Sequence, residues 1–250
     1  MRAVILAAGY ATRLYPLTLN KPKCLLTVGG RTILDALCDK LDALKELDEI
    51  IIVTNAKFFG QLEDWKKNKK LKLPIQMLND GTTSNDNKLG AIGDLRYAVQ
   101  QGGLDTNILM LASDNLFDAE LSGFISFALS KSDAVSVGLY DIKDPSLAAK
   151  KFGVLEIDDA SRVVGIEEKP ECPRSSLIGM GIYYFPKHLL KWVGEYLSDP
   201  TAQDAPGYYI RWLQERTTIF GFRFSGIWYD IGNLKALEEA NQSFKHKKIR

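Results

Sequence analysis

At 250 residues, with 46% apolar and 25% charged side chains, the chain is long enough for one large α/β domain or two small ones with a substantial core. Its 32 basic and 31 acidic residues leave a formal charge of +1, and the aromatic residues are scattered, so electrostatics indicates neither a nucleic-acid nor a membrane partner. Cys24, Cys38 and Cys172 stand far apart without metal or redox spacing, and no apolar run reaches the ~18 residues of a membrane span, so a soluble protein of the reducing cytoplasm is expected.

In chain order, β-rich apolar runs at Ala3–Ala7, Ile50–Thr54, Pro74–Leu78, Ile108–Ala112 and Ala134–Leu139 alternate with helical patterns near 32–47, 58–69, 90–101 and 118–130. That alternation predicts an α/β fold: a Rossmann-like, doubly wound, mixed but mainly parallel sheet. From about residue 140 the runs Gly153–Ile157, Val163–Glu167, Gly181–Tyr184 and Ile219–Phe224, with helices near 186–197, 207–216 and 233–246, read as a mixed and partly antiparallel continuation. No Pro/Ser/Gly-rich linker or charge block separates the halves. A single domain over 1–250 is therefore expected, with a nucleotide-binding lobe over 1–140 and an inserted acceptor lobe from 141 on. The basic tail, Lys245 to Arg250, reads as a solvated helix end.

The first strand runs directly into a small-residue turn, Ala7 to Gly9, followed by Arg13 and Lys23. Small residues let backbone N–H groups approach phosphate oxygens, and the two cations supply mobile positive charge for the same anion. No GK[ST] stands at P-loop spacing and no GxGxxG is present, so the common ATPase and dinucleotide readings lose their support. Ligands of open α/β sheets collect outside the carboxyl ends of the strands, where the Gly9 loop, the Asn79 loop and Asp114 would converge. Alone, an Asp after a strand is more often a turn former or helix cap than a metal ligand, and the lesser reading of Asp230 is a loop acid with Asn233 capping the last helix. Residues 80 to 88 read as a polar loop ahead of a helix starting near Leu89. His188 and His246 fall in helical surface contexts without a catalytic role.

The segment LAAGYATRLYPLTLNKPKCLL, Leu6 to Leu26, resembles the N-terminal signature of the sugar-phosphate nucleotidyltransferases, the pyrophosphorylases that make NDP-sugars. Gly9, Thr12, Arg13, Leu14, Pro16, Leu17, Thr18, Pro22, Lys23 and Leu25 match. Ala11 replaces the second glycine, a change that costs of order 1 kcal/mol if that position needs a positive φ. The resemblance extends through ASDN, which contains Asp114, through Phe152-Gly153-Val154, Glu168-Lys169-Pro170 and GMGIYYF, to GIWYDIGN, which contains Asp230.

What the resemblance implies is a sugar-1-phosphate nucleotidyltransferase that joins an NTP and a sugar 1-phosphate into an NDP-sugar and pyrophosphate. Leu6, Ala8, Gly9, Ala11 and Thr12 would line the nucleotide, with Arg13 on its β/γ-phosphates. Lys23 would sit near the transferred phosphoryl group and the sugar phosphate, and Asp114 and Asp230 would hold Mg²⁺. Gly153 and Glu168 would meet the sugar and Lys169 its phosphate. Gly179 replaces an asparagine that contacts N-acetyl groups in some members. Gly90, with Asn79 or Asp80 in place of the usual glutamine, would read a pyrimidine, with UTP or dTTP favoured over CTP. A cytidylyltransferase acting on phosphocholine or another phosphate monoester is the nearest rival, followed by a non-catalytic nucleotide-sugar-binding regulatory subunit. A glycosyltransferase would be expected to carry Asp-x-Asp, whereas Ser113-Asp114-Asn115 offers one carboxylate. A homo-oligomer is left open.

Overall fold

The computed structural model describes residues 1–131 and 133–244, so the basic tail and His246 lie outside the described residues. The chain opens with β1 (Arg2–Leu6) and, after the phosphate-loop segment, a two-strand hairpin of β2 (Thr27–Val28) and β3 (Arg31–Thr32) that leads into α1 (Ile33–Asp42). The start of α1 is set by a capping box: Asp35 N donates to Thr32 Oγ1 at 3.1 Å while the Asp35 carboxylate accepts from Thr32 N. Its apolar positions Ile33, Leu34, Leu37 and Leu41 share one buried face.

There follow β4 (Glu49–Thr54), α2 (Phe59–Lys67), β5 (Ile75–Asn79), α3 (Ala91–Gln101), β6 (Ile108–Ala112), β7 (Asn115–Phe117), α4 (Ser122–Ser130) and β8 (Val135–Asp141). The remainder is β9 (Gly153–Ile157), β10 (Val163–Glu168), β11 (Leu177–Phe185), α5 (Lys191–Leu197), α6 (Pro206–Gln214), β12 (Ile219–Phe224), β13 (Trp228–Asp230) and α7 (Leu234–Phe244). The main sheet runs β10-β9-β11-β6-β1-β4-β5, with β8 on β11 and β12 on β8, and the block β5-β4-β1-β6 is parallel.

Alternate residues of the parallel strands enter two different cores. Ala3, Ile5, Ile50, Ile52, Leu109 and Leu111 pack under α1, α2, α4 and α7, while Val4, Ile51, Val53, Ile108 and Met110 pack under α3, α5 and α6. Covering both faces is what lets these strands read as unbroken apolar runs. Each fully buried Ile or Leu contributes about 1.5–3 kcal/mol of transfer free energy. Truncating Leu111, which is 0% exposed, to alanine would cost about 2–5 kcal/mol.

One element differs from the sequence expectation in position. The run read as a fifth strand of the first-half alternation, β8, pairs antiparallel with β11 and parallel with β12. The reason is β11, which is longer than the expected Gly181–Tyr184 and lies antiparallel against β6, so that it separates β8 from the parallel block. The pairings β2–β3 and β13–β7 were not legible, because strands of two or three residues carry no signal for their partner.

Candidate active site

Register places the chemistry. Leu6 pairs with Val53 in β4 and with Ala112 in β6, so the carboxyl ends of three adjacent parallel strands are level and the segments that leave them face one cleft. The nucleotide-side cleft encloses about 510 Å³ and is lined by Leu6, Ala8, Gly9, Ala11, Thr12 and Arg13 from the first of these segments. It continues into a second cleft of about 270 Å³, with Arg13, Ala112, Asp114 and Gly181 lining both.

The phosphate loop is held from beneath. Buried Asn55, just past β4, donates from Nδ2 to Ala8 O at 2.8 Å and accepts from Phe58 N at 3.0 Å. Ala11 takes φ 47° and ψ 44°, the left-handed conformation expected of the missing glycine, and Thr18 Oγ1 donates to its carbonyl at 2.8 Å. A hypothetical Cβ on Gly9 meets nothing within 4 Å, so the backbone there faces open cleft.

Asp114 lies two residues past β6, and Asp230 ends β13, which pairs with β7 so that Asp230 stands opposite Asn115. Ile231 N donates to Asp114 O at 3.0 Å, which ties the two acidic segments together. Lys23 Nζ lies 2.6 Å from Asp114 Oδ2. Burial alone would raise the Asp114 carboxyl, but the charge and hydrogen bond of Lys23 outweigh it and hold the group below the usual carboxylate range. Asp230 is pushed up to about 6 by burial first and by the adjacent Asp114 charge second.

Two carboxyls close enough to hydrogen-bond at a cleft wall fit a divalent cation, which would relieve their repulsion. Mg²⁺ needs only one or two protein carboxylates when phosphates and water complete its shell. Among the described residues no group of three or more His, Cys, Asp or Glu side chains gathers for a fuller protein cage.

On the acceptor side, Glu168 ends β10 and Lys169 follows at φ 49°. A non-glycine residue at such a φ costs about 1 kcal/mol or more, and such strain is found at functional sites. Lys169 Nζ lies 3.4 Å from Glu168 Oε1, and burial raises the Glu168 carboxyl against the lowering effect of Lys169. Gly153, Glu168, Lys169 and Gly179 all line the smaller cleft. The wall opposite is Trp228, whose Nε1 donates to Asn115 Oδ1 at 2.8 Å and whose ring packs against Phe152 at 5.6 Å between centroids.

Sequence reasoning missed three acceptor-side residues. Lys151 and Trp228 line that cleft, and so does Gly207 in the first turn of α6. A Cβ on Gly207 would stand 1.8 Å from Glu168 Oε2, so only glycine admits the carboxylate. No local pattern announces a contact made between β10 and α6.

The far end of the nucleotide cleft is Gly90, at φ 82° before α3, where a Cβ would lie 2.0 Å from Asp204 Oδ1. Asp204 accepts from Ala91 N at 2.6 Å and pairs with Lys88 at 3.2 Å. The helix begins at Ala91, two residues later than expected, because Gly90 and Asp204 define its start. Asn79, expected to face the base, uses Oδ1 to accept from Gly81 N at 2.9 Å and does not line the cleft. Asp80 accepts from Thr82 N and Oγ1 at 2.7 and 2.8 Å and lies behind the cleft surface, against Asp94. Asp94 itself lines the cleft and was not singled out from sequence. His188 lies in a helical turn, Lys187–Leu189, away from both clefts.

A mixed, mainly parallel α/β sheet with a small-residue loop, an acid pair and two joined clefts at the carboxyl ends of its strands defines a class, and residues 2–247 match the profile of the nucleotidyl transferase family. The chain belongs to that family. It is similar to the bifunctional protein GlmU of Methanocaldococcus jannaschii, 27% identical over 242 residues that cover 97% of this chain and 54% of that protein. It is also similar to the glucose-1-phosphate adenylyltransferase of Clostridium novyi, 27% identical over 260 residues covering 96% and 66% respectively. The chain thus spans from about half to two thirds of the length of these relatives. Among solved structures, a UDP-glucose pyrophosphorylase complexed with UDP-glucose shares the fold, with a TM-score of 0.83, 18% identity and 99% of both chains covered. Among the described residues no helix is long and apolar enough to cross a membrane.

Proposed function

We propose that the protein transfers a nucleotidyl group from an NTP, with UTP or dTTP favoured, to a sugar 1-phosphate, giving an NDP-sugar and pyrophosphate. The observation that carries this reading is the junction of the two clefts at Arg13 and Asp114, where a nucleotide α-phosphate and an acceptor phosphate would meet. A phosphate monoester is a competent nucleophile at neutral pH, so alignment and charge neutralisation suffice without a general base. Arg13 would hold the β/γ-phosphates, Lys23 would neutralise charge on the transferred phosphoryl group, and Lys169 would anchor the acceptor phosphate. Glu168 would accept hydrogen bonds from sugar hydroxyls. Asp114 and Asp230 would hold Mg²⁺, which, when bound, supplies positive charge against the phosphate oxygens.

In this reading residues 1–140 hold the nucleotide and those from 141 on hold the acceptor. The names of the similar proteins span different nucleotides, an adenylyltransferase and a UDP-glucose pyrophosphorylase among them, so the base is a property of this chain's own cleft. Three unpaired cysteines suit a reducing, cytoplasmic setting. The test is pyrophosphate release from UTP, dTTP, CTP, ATP and GTP with glucose 1-phosphate, its relatives and phosphocholine. Release with a sugar phosphate supports the proposal. Release with phosphocholine alone moves the chain to a cytidylyltransferase-like role, and none with any pair leaves a binding subunit.

A further inference from the structure

The larger cleft is lined by buried Asp94, which lies against the half-buried Asp80 and has no part in the proposed phosphate chemistry. Asp94, one turn into α3, is 6% exposed and lines the cleft. Its carboxyl hydrogen-bonds that of Asp80, and the buried oxygens left without a donor from any other group are Asp94 Oδ1 and Asp80 Oδ2. Two neighbouring carboxylates whose Oδ1 (Asp94) and Oδ2 (Asp80) are buried without a donor repel when both are ionised, which favours one proton shared between them. Burial, with the Asp80 charge second, pushes the Asp94 carboxyl up to about 8, in keeping with a proton held on its side of the pair. Asp80 Oδ1 is already taken by Thr82, so Asp80 Oδ2 is the acceptor for the proton on Asp94 Oδ1. Asp94 Oδ2, which is not among the buried unpartnered oxygens, is then the oxygen left to accept from the cleft that Asp94 lines.

We propose that Asp94, oriented by Asp80, is the residue that reads the nucleotide base, accepting a ring N–H of uracil or thymine with its cleft-facing oxygen. The inference rests on the nucleotide-binding half of the function proposed above and assigns its specificity. With the phosphates fixed by the Gly9 loop, the pyrimidine ring offers position 3 to Asp94. Uracil and thymine carry an N–H there, while cytosine carries a lone pair that faces the acceptor unfavourably. A buried polar group left without its partner is the strongest device for rejecting a near-isostere. Asp80, which touches the cleft only through Asp94, is a positioning residue.

The test is calorimetric binding of UTP, dTTP, CTP, ATP and GTP to the full chain and to Asp94→Ala and Asp94→Asn. In the unaltered protein UTP or dTTP should bind at least about tenfold more tightly than CTP. Asp94→Ala should bring that ratio to within about threefold, chiefly by loss of uridine and thymidine affinity. Asp94→Asn should preserve the ratio, because its amide N–H₂ can donate to Asp80 while its oxygen faces the cleft. A ratio unchanged in Asp94→Ala, an equal collapse in Asp94→Asn, or a purine or CTP preference in the unaltered protein overturns the proposal. These binding ratios stand apart from turnover: selective binding without pyrophosphate release would defeat the proposed reaction and leave the base reading intact.

Discussion

Lys23 Nζ and Asp114 Oδ2, 91 positions apart in sequence, meet at 2.6 Å where the two clefts join. A lysine from the segment after β1 and a carboxylate from the end of a central strand thereby share one charged point. This arrangement neutralises Asp114 in the ligand-free protein and keeps Lys23, 15% exposed at its side chain, aimed at the cleft instead of solvent.

If Lys23 stabilises the charge that develops on the transferred phosphoryl group, Lys23→Ala lowers kcat by roughly 10²-fold, the scale seen when one preorganised donor is lost. The exposed neighbour Lys21 serves as control, and Lys21→Ala is expected to change kcat by less than about threefold. Steady-state pyrophosphate release measures both, and equal losses would assign the role to the wrong lysine.

Metal removal tests the acid pair. Treatment with a chelator should abolish activity, and added Mg²⁺ should restore it. Asp114→Asn and Asp230→Asn should each raise the Mg²⁺ concentration for half-maximal activity by about tenfold or more, because each removes one of two protein carboxylates. Near-native turnover of either variant at limiting Mg²⁺ would mean that the two do not share an ion.

Gly207 offers a test of the acceptor cleft that leaves the nucleotide cleft alone. In Gly207→Ala the new methyl would need the space of Glu168 Oε2, 1.8 Å away, so the carboxylate must swing out of place. The expected result is a KM for the sugar phosphate raised by about tenfold with little change in NTP affinity. Equal weakening of both substrates would show that Glu168 is not a sugar contact.

Asp94 makes stability depend on pH with a definite sign. Its folded value of about 8 lies above the unfolded value near 3.8, so its contribution to stability is fully present below about pH 4 and is lost as the pH rises through 8. The groups that set the shift are Asp80 and Asp204, opposed by Lys88, with Tyr10 also within electrostatic reach. Asp94→Asn does not titrate, so its melting temperature relative to the unaltered protein should rise between pH 5 and pH 9. A constant difference across that range would mean that Asp94 ionises normally.

The sequence alone determined the elements that carry long periodic signals and the residues that belong to contiguous motifs. β6 and β9 fall on the expected boundaries, because five residues rich in Ile, Leu or Val between turn residues are too short for a helix. Arg13 and Lys23 could be named because they stand in one contiguous motif after β1, and Asp114, Glu168, Lys169 and Asp230 because each stands in a short motif at a strand end. The positive φ at Ala11 was legible for the same reason, since a missing glycine in a known turn leaves its conformational demand behind. Tertiary structure alone decided which distant side chains meet. The antiparallel entry of β11 beside β6 moved β8 away from the parallel block, and no residue of β8 encodes that neighbour. Asp94 reads as an ordinary helix residue until α3 is packed against the Asp80 loop, when burial and a second carboxyl change its protonation. Gly207 and Trp228 became parts of the acceptor cleft only when α6 and β13 closed over β10 and β7. Such contacts depend on packing between elements far apart in sequence, and the local signals of caps, turns and periodicity carry no information about them.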